Sequence, residues 1–271
     1  MTRDPPRHSG RPARPHAACR LLATVCAIAG FTAAEPAIAT DAWVSASGND
    51  SNPCTQAQPC ASFAAANSIL TPGGGTIFVL DSGNYAGANP NLTITTNLQI
   101  IAKGVKASFP GTMTISANGT VIIDGVDFEG AGLGAAWAIQ ITNNAPTFIR
   151  NSTFKDYGTA PFTSGAINQT GGSGYATPYL RIDHCFLFGN STGVQLAATI
   201  AEVSRISNSL ILNNAIGVTV NGSANTVQLN NDQMLGSSQK ALDLQNGGLA
   251  QSYGNNVITN GDAPTSVIPR Q

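Results

Sequence analysis

The chain has 271 residues with 13 Lys and Arg against 14 Asp and Glu, and only 10% of its residues are charged. Five of the basic and two of the acidic side chains fall in the first 39 residues, leaving eight against twelve and a net charge near −4. That balance excludes a nucleic-acid partner, which requires clustered positive charge, and about 230 residues suffice to bury the core of one domain.

Residues 1–39 carry Arg3, Arg7, Arg11, Arg14 and Arg20, then the uncharged run LLATVCAIAGFTAA, then Ala37-Ile38-Ala39. A basic region, an apolar region too short to span a bilayer and a small-x-small site are the order of a secretory signal peptide. The exported chain is expected to begin near Thr40 and to be secreted or periplasmic. No second apolar run predicts a membrane span after cleavage.

Residues 40–75 form the expected entry: a strand, a cysteine loop and a cap helix over residues 62–70, with Ser62 at its N-cap. Cys54 and Cys60 flank TQAQP in a turn-rich segment. In an oxidising compartment they are expected to form a disulfide, while Cys185 stays a small buried residue. The rival reading, a three-ligand metal site, finds only His184 as a histidine beyond residue 39. No metal is expected.

Residues 76–262 repeat. IIDGVDF (122–128), FIRNSTF (148–154), RIDHCFL (181–187), RISNSLI (205–211), QLNNDQM (228–234) and SYGNNVI (252–258) share one template: aliphatic, any, Asn-like, small, any, apolar. Its first position holds Ile123, Ile149, Ile182, Ile206, Leu229 and Tyr253, and its last Phe128, Phe154, Leu187, Ile211, Met234 and Ile258. Extended upstream to Ile100 and Ile77, the spacings are 23, 23, 26, 33, 24, 23 and 24. A second row, Ile94, Ile115, Ile141, Leu196, Val220 and Leu244, sits in short alternating stretches, the period-2 mark of strands with one buried face. A fixed period with aliphatic rows predicts an all-β, right-handed parallel β-helix of about eight coils. Asn and Gly at the corners supply positive φ, and Asn151, His184, Asn208, Asn231 and Asn255 form a predicted polar ladder. Residues 263–271 are a tail.

The opening DAWVSASGNDSNPCTQAQPCASFAAAN (41–67) and the coil repeat together resemble the pectin-lyase-like superfamily of exported β-helix proteins. The resemblance covers nearly all of residues 41–260 and implies a fold rather than an activity, since this fold hosts lyases, hydrolases, epimerases, adhesins and non-catalytic repeats. The Asn-Thr-Asp, Asp-Asp, Gly-His-Gly and Arg-Ile-Lys strings of polygalacturonase-like hydrolases are absent. Ile182-Asp183-His184 matches part of a pectate-lyase string, but Arg181 stands where that string has Trp.

Outward positions then give the candidate site. Asp124, Arg150 and Asp183 are predicted to lie in line on successive coils, with Asp127, Glu129 and Lys155 beside them. As a catalytic set, Asp124, Asp127, Glu129, Arg150 and Asp183 would offer carboxylates for acid–base work or Ca²⁺ and a cation for a uronate; as structure, they are a charge ladder that keeps a sheet soluble. The 33-residue spacing places an insertion at residues 157–178, whose Tyr157, Phe162 and Tyr175, with Tyr179 and Lys155, are candidate ligand-binding residues. Phe186, Phe188, Leu210, Leu212 and Leu235 should point outward as an apolar stripe, covered by the insertion or the tail, or used for self-association. The expected function is a surface for polysaccharide or cell-surface binding with no cofactor; the alternative is a polysaccharide lyase, hydrolase or epimerase acting on a uronate-type glycan, with Ca²⁺ implied only for the lyase.

Overall fold

Short strands separated by corners wind the chain into three parallel sheets. The computed structural model describes residues 40–71, 73–134, 136–143, 146–158, 163–171 and 180–269. The predicted signal peptide lies outside the described residues. Each complete coil contributes one strand to each sheet, from Gly75–Val79, Gly83–Asn84 and Asn91–Ile94 to Asn225–Asn230, Gln233–Leu235 and Lys240–Gln245. Among the described residues the first sheet has ten strands, the second eight and the third seven. Seven coils are therefore complete, and Leu249–Ser252 and Val257–Ile258 begin an eighth.

The predicted files are continuous. Ile100, Ile123, Ile149, Ile182, Ile206 and Leu229 pair in register along the first sheet, and all are buried. Phe128, Phe154, Leu187, Ile211 and Met234 do the same on the second. A coil cannot shield its own apolar face, so each relies on its neighbours. Interior rings reinforce this: Phe128 stacks on Phe154 at 4.7 Å between centroids, and Phe109 meets Phe128 edge-on at 6.0 Å.

At the corner between the first two sheets, Asn151, His184, Asn208 and Asn231 all take left-handed φ of 51–60°. Asn231 Nδ2 donates to Asn208 Oδ1, and Asn208 Nδ2 donates to Asp183 Oδ1, so the polar ladder forms. At the last coil the backbone register shifts by one, Leu229 pairing with Ser252 rather than Tyr253 and Gly254 taking the left-handed position, while Asn255 joins through its side chain, Oδ1 accepting the Asn231 amide at 3.1 Å. The next corner position stacks Ser152, Cys185 and Ser209, with the Cys185 amide donating to Ser209 Oγ. Cys185 is a free, buried cysteine, and burial pushes its thiol up to about 12.

The cap helix α1, Phe63–Leu70, begins where Ser62 Oγ accepts the Ala65 amide. Asp50 holds that turn from outside, accepting from the Ala61 and Ser62 amides and from Ser62 Oγ, each at 2.8 Å. Phe63 then reaches Tyr85 at 5.2 Å and Phe109 at 5.9 Å, closing the first coil. Cys54 and Cys60 are disulfide-bonded with Cα atoms 4.7 Å apart, and both are tied to the first strand, Thr40–Val44, where the Trp43 amide donates to the Cys54 carbonyl and the Cys60 amide to the Trp43 carbonyl. Asp50→Ala is expected to lower unfolding free energy by about 1–2 kcal/mol, the worth of a lost cap and exposed charged hydrogen bonds, read as a fall in urea midpoint at unchanged slope.

Candidate ligand-binding face

Sequence position decides what each first-sheet strand shows to solvent, because residues either side of the buried file point outward. One outward file runs Trp43, Phe78, Ile101, Asp124, Arg150, Asp183, Ser207, Asn230. The parallel file, two residues earlier on each strand, includes Ile122, Phe148, Arg181, Arg205, Gln228 and Gln251. The predicted alignment of Asp124, Arg150 and Asp183 is therefore present.

Its chemistry is that of a ladder. Arg150 Nε donates to Asp124 Oδ2 at 3.0 Å and Asn151 Nδ2 to Asp124 Oδ1 at 2.7 Å. Asp183 Oδ1 accepts from Ser207 Oγ at 2.7 Å and Asn208 Nδ2 at 2.9 Å, and its Oδ2 lies 2.8 Å from His184 Nδ1. Partial burial pushes the Asp183 carboxyl up, but those hydrogen bonds outweigh it and hold the group below the ordinary carboxylate range. Both carboxylates are thus occupied as acceptors within the protein.

Beside them the predicted Arg150 and Asp183 are joined by two arginines that are not among the candidate site residues, Arg181 and Arg205. Arg150, Arg181 and Arg205, with Phe148, Asp183 and Ser207, line a groove of about 300 Å³. The Arg181 guanidinium lies 5.5 Å from the Phe148 ring centroid, and that of Arg205 lies 5.8 Å from the Tyr253 ring. Gln228 Oε1 accepts from Arg205 Nη2 at 2.8 Å, and Tyr253 OH is 3.2 Å from the same nitrogen. Rigidly held guanidiniums of this kind suit carboxylates. The signal was readable: Phe148, Arg181, Arg205 and Gln228 stand immediately before the repeated Ile149, Ile182, Ile206 and Leu229.

The remaining candidates are dispersed. Asp127 faces a separate recess of about 570 Å³ at the corner, with Lys103, Lys106, Asp124 and Asn151. Glu129 lies 3.8 Å from Lys106, and Lys155 lies 3.7 Å from Asp156. Among the described residues, no three His, Cys, Asp or Glu side chains come together as a metal-ligand group.

Tyr157 is a correction. Instead of lining a surface loop it is fully buried, its hydroxyl donating to the Gly111 carbonyl at 2.8 Å and its amide to Asn190 Oδ1 at 3.0 Å. Burial pushes its phenol well above the ordinary value. Phe162, Tyr175 and Tyr179 lie outside the described residues. The predicted insertion at 157–178 is also not one loop, because Gly165–Gln169 is a third-sheet strand pairing with Trp137–Ile141 and Thr192–Leu196. Gln169 fills the file between Ile141 and Leu196 and broke the aliphatic row that would have revealed it. It is buried with Glu202, donating to Glu202 Oε1, while Ser204 Oγ donates to Gln169 Oε1 at 3.2 Å.

The stripe Phe186, Phe188, Leu210, Leu212 and Leu235 does face outward on the second sheet, each residue half-buried, with Phe186 stacked on Phe188 at 5.8 Å. The tail does not lie over it, since Ser266–Val267 pairs with the first sheet. Any cover from residues 172–179 lies outside the described residues.

No family model matches this chain, and no curated protein matches it. Among solved structures it is similar to the crystal structure of pectate lyase Pel9A, with 16% identity over 84% of this chain and 80% of that one and a TM-score of 0.31. The β-helix assignment here rests on the register of the coils themselves.

Proposed function

We propose that this chain is an exported β-helix protein that binds an acidic polysaccharide, a polyuronate, on the outer face of its first sheet. The observation that carries this is the groove of Arg150, Arg181 and Arg205, which gathers three of the seven Lys and Arg among the described residues into one site. The strands that carry Arg150, Arg181 and Arg205 are successive in the sheet, ~4.8 Å apart along the axis, with Arg181 and Arg205 paired in one file and Arg150 in the next. A linear polymer lying along the coils meets a new cation at each step, and the flanking Phe148 and Tyr253 rings offer faces to sugar C–H groups. Binding is favoured over turnover because Asp124 and Asp183 are already engaged as acceptors. Export is supported by the pattern of residues 1–39 and by the Cys54–Cys60 disulfide. Among the described residues no helix is long and apolar enough to cross a membrane.

The test is titration of the protein with polygalacturonate, alginate and a neutral glucan. Arg181→Ala and Arg205→Ala are each expected to weaken polyuronate binding by roughly 10-fold or more, the worth of one charge-assisted hydrogen-bonding partner. Uronate binding indifferent to both variants, or absent, would sink the reading. A second reading, cleavage of the same glycan, is supported by Asp127, a half-buried carboxyl facing the corner recess beside Lys103 and Lys106. New unsaturated or reducing ends that vanish in Asp127→Ala would favour it.

A further inference from the structure

We propose that the glycan-binding track continues past the arginines to an aromatic platform at the N-terminal end of the sheet, so that the face selects its polymer by chain length. The inference rests on the acidic-glycan reading above and adds a second contact point to it.

The platform is Trp43 and Phe78. Their rings stack 5.8 Å apart at an interplanar angle of 28°, and both are half-buried on the outer face. They occupy the same register file as Asp124 and Arg150. No corner between sheets therefore separates them from the groove. Ile101 and Ile122, both half-buried, floor the sheet between the two ends. A half-buried indole and phenyl side by side on the outer face match the C–H face of a pyranose ring better than a charged group. Asp41, exposed in the neighbouring file on the Trp43 strand, disfavours a carboxylate there. The two ends thus divide the labour: the arginines take uronate carboxylates and the platform takes ring faces.

Five and six strand steps separate Trp43 from Arg181 and Arg205 in the sheet order, or about 24 and 29 Å. A disaccharide or trisaccharide held at those two arginines does not reach Trp43. A long chain does, and once held at the arginines its second contact is intramolecular, with an affinity gain of roughly 10- to 100-fold.

Tryptophan emission reads the contact directly. The chain has two tryptophans, and Trp137 is buried in the third sheet, so a ligand-dependent shift reports Trp43. Long polygalacturonate is expected to shift the emission to the blue and to bind roughly 10- to 100-fold more tightly than trigalacturonate. Trigalacturonate binding should depend on Arg181 and Arg205 and leave the emission unchanged. Trp43→Leu and Phe78→Leu, which keep apolar volume on the sheet, should bring polymer affinity down towards that of the trimer without altering trimer affinity. Equal affinity for polymer and trimer, or a loss in the platform variants that is the same for both, would overturn the platform while leaving the arginine groove standing. Failure of every uronate to bind would overturn both.

Discussion

Phe154→Ala is expected to cost about 3–5 kcal/mol of unfolding free energy, the range for truncating a buried phenylalanine. The ring is fully buried and stacked almost parallel on Phe128, at 5° and 4.7 Å. Leu187 follows it in the same interior file. Above it, Asn190 Nδ2 donates to the Phe154 carbonyl at 3.1 Å, so the coil is tied to the next by backbone and by packing. Its neighbours belong to parallel sheets on three sides and have little freedom to close a cavity. In a solenoid each coil's stability is mostly its interfaces, so the loss falls at the centre of the rod, between coils that would otherwise unfold together. Urea denaturation should show a lower midpoint and a broadened or split transition. Phe186→Ala, on the outer side of the same sheet and half-buried, is expected to cost no more than about 1 kcal/mol. Similar losses for the two would contradict the assignment of inner and outer faces.

The second large effect is a pH dependence centred on Glu202. This carboxyl is 4% exposed and points into the interior with Gln169 and Ser204. Its Oε1 accepts from them, while its Oε2 has no hydrogen-bond partner. Burial pushes its pKa up to about 7, against the opposing effect of those two hydrogen bonds. A carboxyl raised in the folded state holds its proton more tightly there than in the unfolded chain. The stability it contributes is complete below the unfolded value near 4.5, declines as pH rises towards 7, and is lost above that. The span corresponds to about 3 kcal/mol. Asp232, raised by burial to about 7 despite amide donors from Ser209 and Asn230, works in the same sense. Glu202→Gln keeps an acceptor for Gln169 and cannot ionise. It should match the parent near pH 4.5 and exceed it at pH 8, leaving only the Asp232 share of the pH slope. Parallel stability curves for parent and variant from pH 4.5 to 8 would refute the assignment.

The fold was legible because its determinants recur. Ile123, Ile149, Ile182 and Ile206 occupy one environment seven or eight times over, and a period survives single exceptions. Where the pattern lost a member, legibility went with it. Gln169 replaced an aliphatic residue in the third-sheet file, so its strand was read as part of a loop. At the last coil Tyr253 mimicked the apolar template position, although Ser252 makes the pairing. The candidate site was less legible for a different reason. Asp124, Arg150 and Asp183 could be aligned from spacing, but alignment does not say whether a carboxylate is free, and here hydrogen bonds from Asn151, Ser207 and Asn208 consume them. Tyr157 shows the converse: an aromatic residue beside a long spacing looks like a surface ligand contact, yet its hydroxyl satisfies an interior carbonyl 46 residues away. Arg181 and Arg205 stand in the repeat on the other side of the isoleucine from Asp183 and Ser207, and spacing alone does not show that they share a groove with Arg150.

The left-handed corner beside the first sheet has a bearing on how such a rod changes over time. Its occupants differ in chemistry, two being glycine, four asparagine or histidine, yet each meets the same demand, tolerance of a positive φ at small energetic penalty. An exchange between glycine and asparagine at that vertex keeps the turn and alters only the side-chain bonds to its neighbours, such as those from Asn151 to Asp124 and Asn208 to Asp183. New side-chain chemistry can therefore be sampled on the rim of the proposed binding face, one coil at a time, while the hydrocarbon interior stays constant.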